Sequence, residues 1–336
     1  MRARFLDRNS TLFVALAAAL WASDAYFRPV LAQQLSASQI VLLEDLIISA
    51  CFLPVALRVV HQLRRLDLRR WCALAVIAVG PQAFATVLFT RALSFAFPPH
   101  AAPDLAVENE VYLLYMLQPF FGVLGARLVL RERRRPYFWL LALLASGGVY
   151  LIVFAPDPGA PFSSLQHGQA EAALLIIGAV VLWASGTVLG RYLLYDVSFV
   201  TTTAMRFALA LPVLLLLTLF DTGIAGLGHY SAAQIPSFLG IALIPGLLAM
   251  LIYYRALSRT PASLATFAEL GYPCALFLVF SLPPPVGLGA PLHVAAILGA
   301  IALVIAVTAL NALKGRDVVR TEPTQTRLAA QGSAIR

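Results

Sequence analysis

Charge is scarce in this chain: of its 336 residues only 12% are Asp, Glu, Lys or Arg. A water-soluble domain carries about twice that share, so a solvated globular surface is excluded. Lysine is nearly missing, with Lys314 alone, and almost all positive charge is arginine. The three cysteines, Cys51, Cys72 and Cys274, are scattered and form no Cys-x-x-Cys pair. That excludes a thiolate metal site or a redox couple, and they read as packing residues in apolar segments. His61, His100, His167, His229 and His293 fall in loops or at helix ends, without metal or proton-relay spacing. No glycine-rich loop that could cradle nucleotide phosphates is present, so ATP is not the energy source. No cofactor or metal is therefore expected. An intramembrane enzyme acting on a lipid would need clustered carboxylates for a metal–diphosphate, or a nucleophile beside a base; neither pattern occurs. A membrane sensor or scaffold would need an output domain, and the tail from Lys314 is short and featureless.

Apolar residues are abundant instead, at 60% of the chain, with a mean hydropathy of +0.84. They fall in runs near the ~20 residues needed to cross a bilayer, roughly 11–32, 38–59, 71–92, 107–130, 137–155, 171–190, 199–220, 236–257, 262–281 and 291–313. The net charge of +8 is not spread as a nucleic-acid footprint. Arginine clusters at Arg2 to Arg8, Arg58 to Arg70 and Arg131 to Arg135, and the tail from Lys314 is basic. With the N-terminus inside, all of these lie on the cytoplasmic side, while Asp104, Glu108, Asp157 and Asp221 lie on the other. This is the positive-inside distribution of a chain with both termini in the cytoplasm. The expected partners are a lipid bilayer and a small-molecule substrate, not nucleic acid. Arginine-rich usage and compact loops point to a bacterial inner membrane.

One ordered pattern occurs twice. Leu20-Trp21-Ala22-Ser23 recurs as Leu182-Trp183-Ala184-Ser185, and Arg91-Ala92-Leu93-Ser94 as Arg255-Ala256-Leu257-Ser258. The spacing between the tetrapeptides is 71 residues in the first copy and 73 in the second. The recurrence of Leu-Trp-Ala-Ser in mid-chain argues that the first copy belongs to the fold and is not a cleaved leader. Five spans per copy force the second copy to insert upside down, an arrangement that places a substrate between the copies near the midplane. The expected architecture is an all-α integral membrane protein of ten transmembrane helices in two inverted five-helix repeats, with the N-terminus and C-terminus inside. The divisions are a cytoplasmic segment 1–10, a first repeat 11–155, an outer linker 156–170, a second repeat 171–313 and a disordered cytoplasmic tail 314–336.

These elements resemble the EamA-like family of the drug/metabolite transporter superfamily. Trp21 and Trp183 stand at that family's first-helix tryptophan. Met205-Arg206-Phe207 is similar to its second-helix start, and Tyr253-Tyr254-Arg255-Ala256-Leu257 to its third-helix end, with Phe89-Thr90-Arg91-Ala92-Leu93 a partial match. Gln118-Pro119 and Tyr272-Pro273 resemble its fourth-helix proline turn, and Glu132 its Gly-Glu-Arg-type ending. The resemblance covers about residues 10–312. Two departures stand out: Glu44 occupies the position of Arg206, and Leu282-Pro283-Pro284-Pro285 replaces the second Glu-Arg ending. The family implies a ten-helix transporter, with export the commoner direction. It implies no one substrate, because its members carry amino acids, nucleosides, drugs and other metabolites.

An ionisable side chain inside a membrane is costly, and each is a functional candidate. Asp24 and Arg28 sit four apart on the first helix, on one face. They read either as a structural pair or as a substrate-amine or proton site at Asp24. Glu44 reads as a salt-bridge partner of Arg28 or Arg91, or as a second proton site; adjacent Asp45 points about 100° away. Arg206 reads as an anchor. Glu269, Tyr272 and Pro273 share a face of the ninth helix, and alignment of the prolines makes Tyr115 and Gln118 equivalent to Glu269 and Tyr272. The expected substrate contacts are Trp21, Asp24, Tyr115, Gln118, Trp183, Glu269 and Tyr272; the proton-coupling candidates are Asp24, Glu44 and Glu269. Arg91, Tyr254 and Arg255 are candidate gates, or interface anchors. Asp104, Glu108 and Glu110 either cap the fourth helix or form a charged outer vestibule. The reading is a secondary transporter, an exporter or exchanger, of a small polar or zwitterionic metabolite such as an amino acid.

Overall fold

A computed structural model describes residues 8–96, 104–154, 157, 159, 170–283 and 293–317. Among these the chain is all helix, and each of the ten apolar runs is helical. We number them α1 (Ser10–Trp21 with Asp24–Ala32), α2 (Ala37–Cys51 with Leu53–Leu63), α3 (Leu68–Ala96), α4 (Leu105–Tyr115 with Gln118–Val129) and α5 (Pro136–Phe154). Then come α6 (Ala170–Leu193), α7 (Phe199–Gly226), α8 (Ala232–Leu257), α9 (Ala262–Ala268 with Gly271–Ser281) and α10 (Val294–Asp317). Eight of these, all but α2 and α4, are long and apolar enough to cross a membrane. A ninth passes if α2, bent by 43°, counts as one span. The chain is thus an all-α membrane protein. The expected linker and tail lie almost wholly outside the described residues, as do His100, His167, Pro284, Pro285 and the side chain of Glu108.

Polar residues mark where the helices start. The Ser36 hydroxyl and the Gln39 side chain form a capping box at α2, and Ser231 with Gln234 forms another at α8. Asp67 caps α3, Asp104 caps α4 and Ser198 caps α7 through hydrogen bonds to the amides of Arg70, Val107 and Thr201. For Asp104 the geometry is therefore that of a cap. Glu110 is buried and faces inward, not out to a vestibule, because its stretch of α4 packs on α6 and α3. Cys51 and Cys72 are exposed on the outer surface, not packed inside, because their helix faces turn away from the bundle.

Breaks interrupt α1, α4 and α9 near their middles. α1 breaks at Ala22–Ser23, α4 at Met116–Leu117 and α9 at Glu269–Leu270. Pro119 and Pro273 lack the amide that would continue the ladder across the last two breaks. Tyr272 therefore does not follow Glu269 on one continuous helical face, as the sequence spacing suggests. α3 and α8 stay continuous but widen into π-helical turns at Ala78–Phe84 and Ala242–Leu248, each holding a proline, Pro81 and Pro245. Such turns free backbone carbonyls and concentrate at functional sites.

The packing is reciprocal. α1 lies against α8 and α9, while α6, its counterpart, lies against α3 and α4. α2 packs on α7, and α5 on α10. The α5–α10 contact needs glycine. A Cβ on Gly148 would sit 2.6 Å from the Gly299 carbonyl oxygen, and one on Gly299 would sit 2.4 Å from that of Gly148. This small-residue contact lets two backbones touch in the bilayer, where apolar burial drives no helix association. Gly147, one residue earlier, faces open space. Gly148→Ala should lower stability by about 1–3 kcal/mol, the usual range for overpacking. Melting in detergent should fall by several degrees, while Gly147→Ala should leave it unchanged; equal effects would remove the close-contact account.

Candidate functional site

The helix breaks surround a cavity with about 890 Å³ of empty space, including solvent at its mouth. Trp21, Asp24, Tyr115, Gln118, Trp183, Glu269 and Tyr272 all line it, as do Glu44 and Arg206. α5 and α10 take no part, being engaged with each other. α2 and α7 contribute Glu44, Arg206 and Phe207, so the wall is built from α1 to α4 and α6 to α9.

One polar centre is built on Arg28. Its Nε donates to Asp24 Oδ2 at 2.5 Å, its Nη1 to Thr90 Oγ1 at 3.0 Å and its Nη2 to Glu44 Oε2 at 3.0 Å. Arg28 and Glu44 are buried, at 6% and 5% exposure. Glu44 therefore pairs with Arg28, and Arg91 is elsewhere, bonded to exposed Glu171 at 3.0 Å. The break in α1 directly precedes Asp24, and the Ser23 hydroxyl donates to the Leu20 carbonyl across it.

The second centre is Glu269, buried at the break of α9. Its Oε1 accepts from Tyr253 Oη at 2.6 Å and Thr187 Oγ1 at 3.0 Å; its Oε2 accepts from Gln118 Nε2. All three donors are neutral, and no described cation pairs with this carboxylate. Gln118 Oε1 and Asp24 Oδ1 are buried without a hydrogen-bond partner.

A third group ties the halves together behind the wall. Gln82, in the π-helical turn of α3, donates to Asp45 Oδ1 at 2.9 Å and accepts from Arg206 Nε at 2.6 Å. Arg206 also donates to Tyr254 Oη at 3.0 Å. Arg206 is thus an anchor, and Tyr254 is fully buried beneath it, away from any mouth. Arg255 is exposed over the Phe199 ring at 5.5 Å. Two glycines make room for this arrangement. At the 162-residue offset that relates Trp21 to Trp183, Asp24 and Arg28 become Gly186 and Gly190. A Cβ there would lie 2.7 Å from Pro81 and 2.8 Å from Tyr254.

The walls are aromatic. Trp21 packs on Tyr253 with ring centroids 5.3 Å apart, Trp183 on Phe89 at 5.1 Å, and Tyr115 on Tyr272 at 5.3 Å. Glu132 at the end of α4 accepts from the amides of Ala262 and Ser263 and so caps α9 away from the cavity. Thr187, Gln82 and Tyr253 also line the cavity and were not among the expected contacts. Thr187 lies one turn beyond Trp183, and Gln82 is an amide beside a proline in an apolar run, so both left a sequence signal.

Residues 170–312 match the EamA-like transporter family. A curated relative, the riboflavin transporter ImpX of Fusobacterium nucleatum subsp. nucleatum, is 28% identical over 163 residues, 48% of this chain. The matched stretch spans 54% of that protein, about half its length. A protein known from a crystal structure superposes with a TM-score of 0.67 at 17% identity, over 92% of this chain and 98% of its own, and so shares the fold. Residues 170–312 are thus similar to the EamA-like transporter family, in a chain that is a multi-pass membrane protein.

Proposed function

We propose that this chain is a secondary carrier in the cell inner membrane, working as an exporter or exchanger of a small polar solute. Its ten helices would form two inverted five-helix repeats, residues 11–155 and 171–313, with both termini in the cytoplasm. The two halves would rock about the central cavity, opening it alternately to each side. The observation that carries this reading is the cavity itself. It lies between the two halves, is lined by aromatic rings, and holds two buried carboxylate centres where helices break.

The contact pattern supports the pseudo-twofold. Pro119 and Pro273 are equivalent, which makes Gln118 equivalent to Tyr272 and Tyr115 to Glu269. Gln118 meets Glu269, and Tyr115 meets Tyr272. The two contacts thus map onto each other, as a two-fold relation requires. The arginine clusters at Arg58 to Arg70 and Arg131 to Arg135 support the orientation.

Asp24, Glu44 and Glu269 are the groups that could couple solute movement to protons, with Glu269 foremost because it forms no ion pair among the described residues. Glu269→Gln keeps the shape and loses the titratable group. In proteoliposomes it should abolish proton-driven transport while leaving solute exchange intact. Driven transport at the unmodified rate would remove Glu269 from the coupling role.

The solute is small and polar with a flat aromatic part. A zwitterionic amino acid fits the mix of carboxylates and arginines. Riboflavin is the second reading, favoured by the name of the relative and by the paired rings of the walls. Each ligand that binds the folded protein should raise its melting temperature, by about 2.7 kcal/mol of stability at a hundredfold excess over Kd. Trp183→Ala removes one wall and should weaken binding of whichever solute is recognised by roughly 2- to 10-fold, the worth of one aromatic contact. Unaltered affinity would mean that the solute does not lie against Trp183.

A further inference from the structure

The charges around the cavity do not balance. Two guanidinium groups, Arg28 and Arg206, line it with three carboxyl groups, Asp24, Glu44 and Glu269, and a fourth carboxyl, Asp45, lies behind the wall. Fully ionised, these six sum to minus two. Arg28 is shared by two carboxylates on its Nε and Nη2, with its Nη1 held by Thr90. Arg206 is held by Gln82, Tyr254 and the Pro81 carbonyl and makes no ion pair among the described residues. Asp45 lies behind the wall on Gln82. Glu269 has only neutral partners.

The hydrogen-bond inventory leans the same way. The cavity residues with a buried, unpartnered polar atom are Gln118 and Asp24, and in both the atom is an acceptor oxygen, Oε1 and Oδ1. Gln118 is only 4% exposed. The guanidinium nitrogens that face the cavity are already engaged. A ligand carboxylate or phosphate would thus enter a site with more carboxyl than guanidinium groups and its cationic donors engaged. Like charges brought together across a desolvated contact cost several kcal/mol. An ammonium or ring N–H would instead meet Glu269, Gln118 and Asp24, with aromatic faces on either side to hold a cation or a flat ring.

We infer that the cavity selects an aromatic solute bearing an amine or N–H donors and rejects organic anions of the same shape. This narrows the substrate class of the carrier proposed above and rests on that reading. It moves the expected solute from the zwitterion toward the cation.

Three probes share one indole ring and differ in charge: tryptamine, tryptophan and indole-3-acetate. Their binding to the purified full chain, read by thermal shift near neutral pH, decides the matter. Tryptamine should bind most tightly, tryptophan less and indole-3-acetate least, with at least about tenfold between the extremes, a modest share of the like-charge cost. Asp24→Asn and Glu269→Gln should each narrow that ratio. The ligand series on the unmodified chain is sufficient, so a variant that fails to fold leaves the test intact. Equal affinities, a reversed order or no binding by any of the three overturns the inference. The carrier reading itself falls only if no solute, riboflavin and amino acids included, crosses proteoliposomes containing the protein.

Discussion

A guanidinium group cannot stand unpaired in hydrocarbon, and the first half of this protein is organised around that fact. Arg28 on α1 draws Asp24 from its own helix, Glu44 from α2 and Thr90 from α3 into one buried cluster. Removing one partner from such a cluster typically costs about 3–5 kcal/mol, because the remaining charge stays buried. The cluster therefore fixes how three helices meet, and it does so at the cavity wall. Arg206 performs the matching task between α7, α3 and α8, through Gln82 and Tyr254.

The helix breaks follow from the same constraint. In a bilayer every freed backbone carbonyl needs a partner, so irregular backbone is tolerated only where protein or a cavity meets it. The breaks at Ala22–Ser23, Met116–Leu117 and Glu269–Leu270, and the wide turns at Pro81 and Pro245, are all next to the cavity. Polar side chains, bent backbone and open space thus share one location. Helices that need no such irregularity, α5 and α10, pack through Gly148 and Gly299 at the periphery and leave the cavity to the rest.

Much of this was legible in the sequence, for identifiable reasons. Long apolar runs cannot be anything but helices in lipid, so the segments were readable from hydropathy. Intramembrane polar residues are too costly to be idle, and Trp21, Asp24, Tyr115, Gln118, Trp183, Glu269 and Tyr272 all line one cavity. Gating was harder to read. Tyr254 and Arg255 are neighbours in sequence, yet one is buried under Arg206 and the other is exposed, because adjacent residues on a helix point about 100° apart. Glu110 likewise looked like part of an acidic mouth and instead faces the bundle.

The sequence by itself determined the membrane setting, the helical runs, the doubled Trp and Arg-Ala-Leu-Ser pattern and the set of charges that had to find partners. These are properties of composition and short-range spacing, which a chain carries before it folds. Tertiary structure alone decided which charges meet. It chose Arg28 over Arg91 for Glu44, gave Gln118 and not a cation to Glu269, and set Gln82 between Asp45 and Arg206. Those pairings join residues tens to hundreds of positions apart. They depend on how the helices cross and where they break, and no local rule of sequence encodes that geometry.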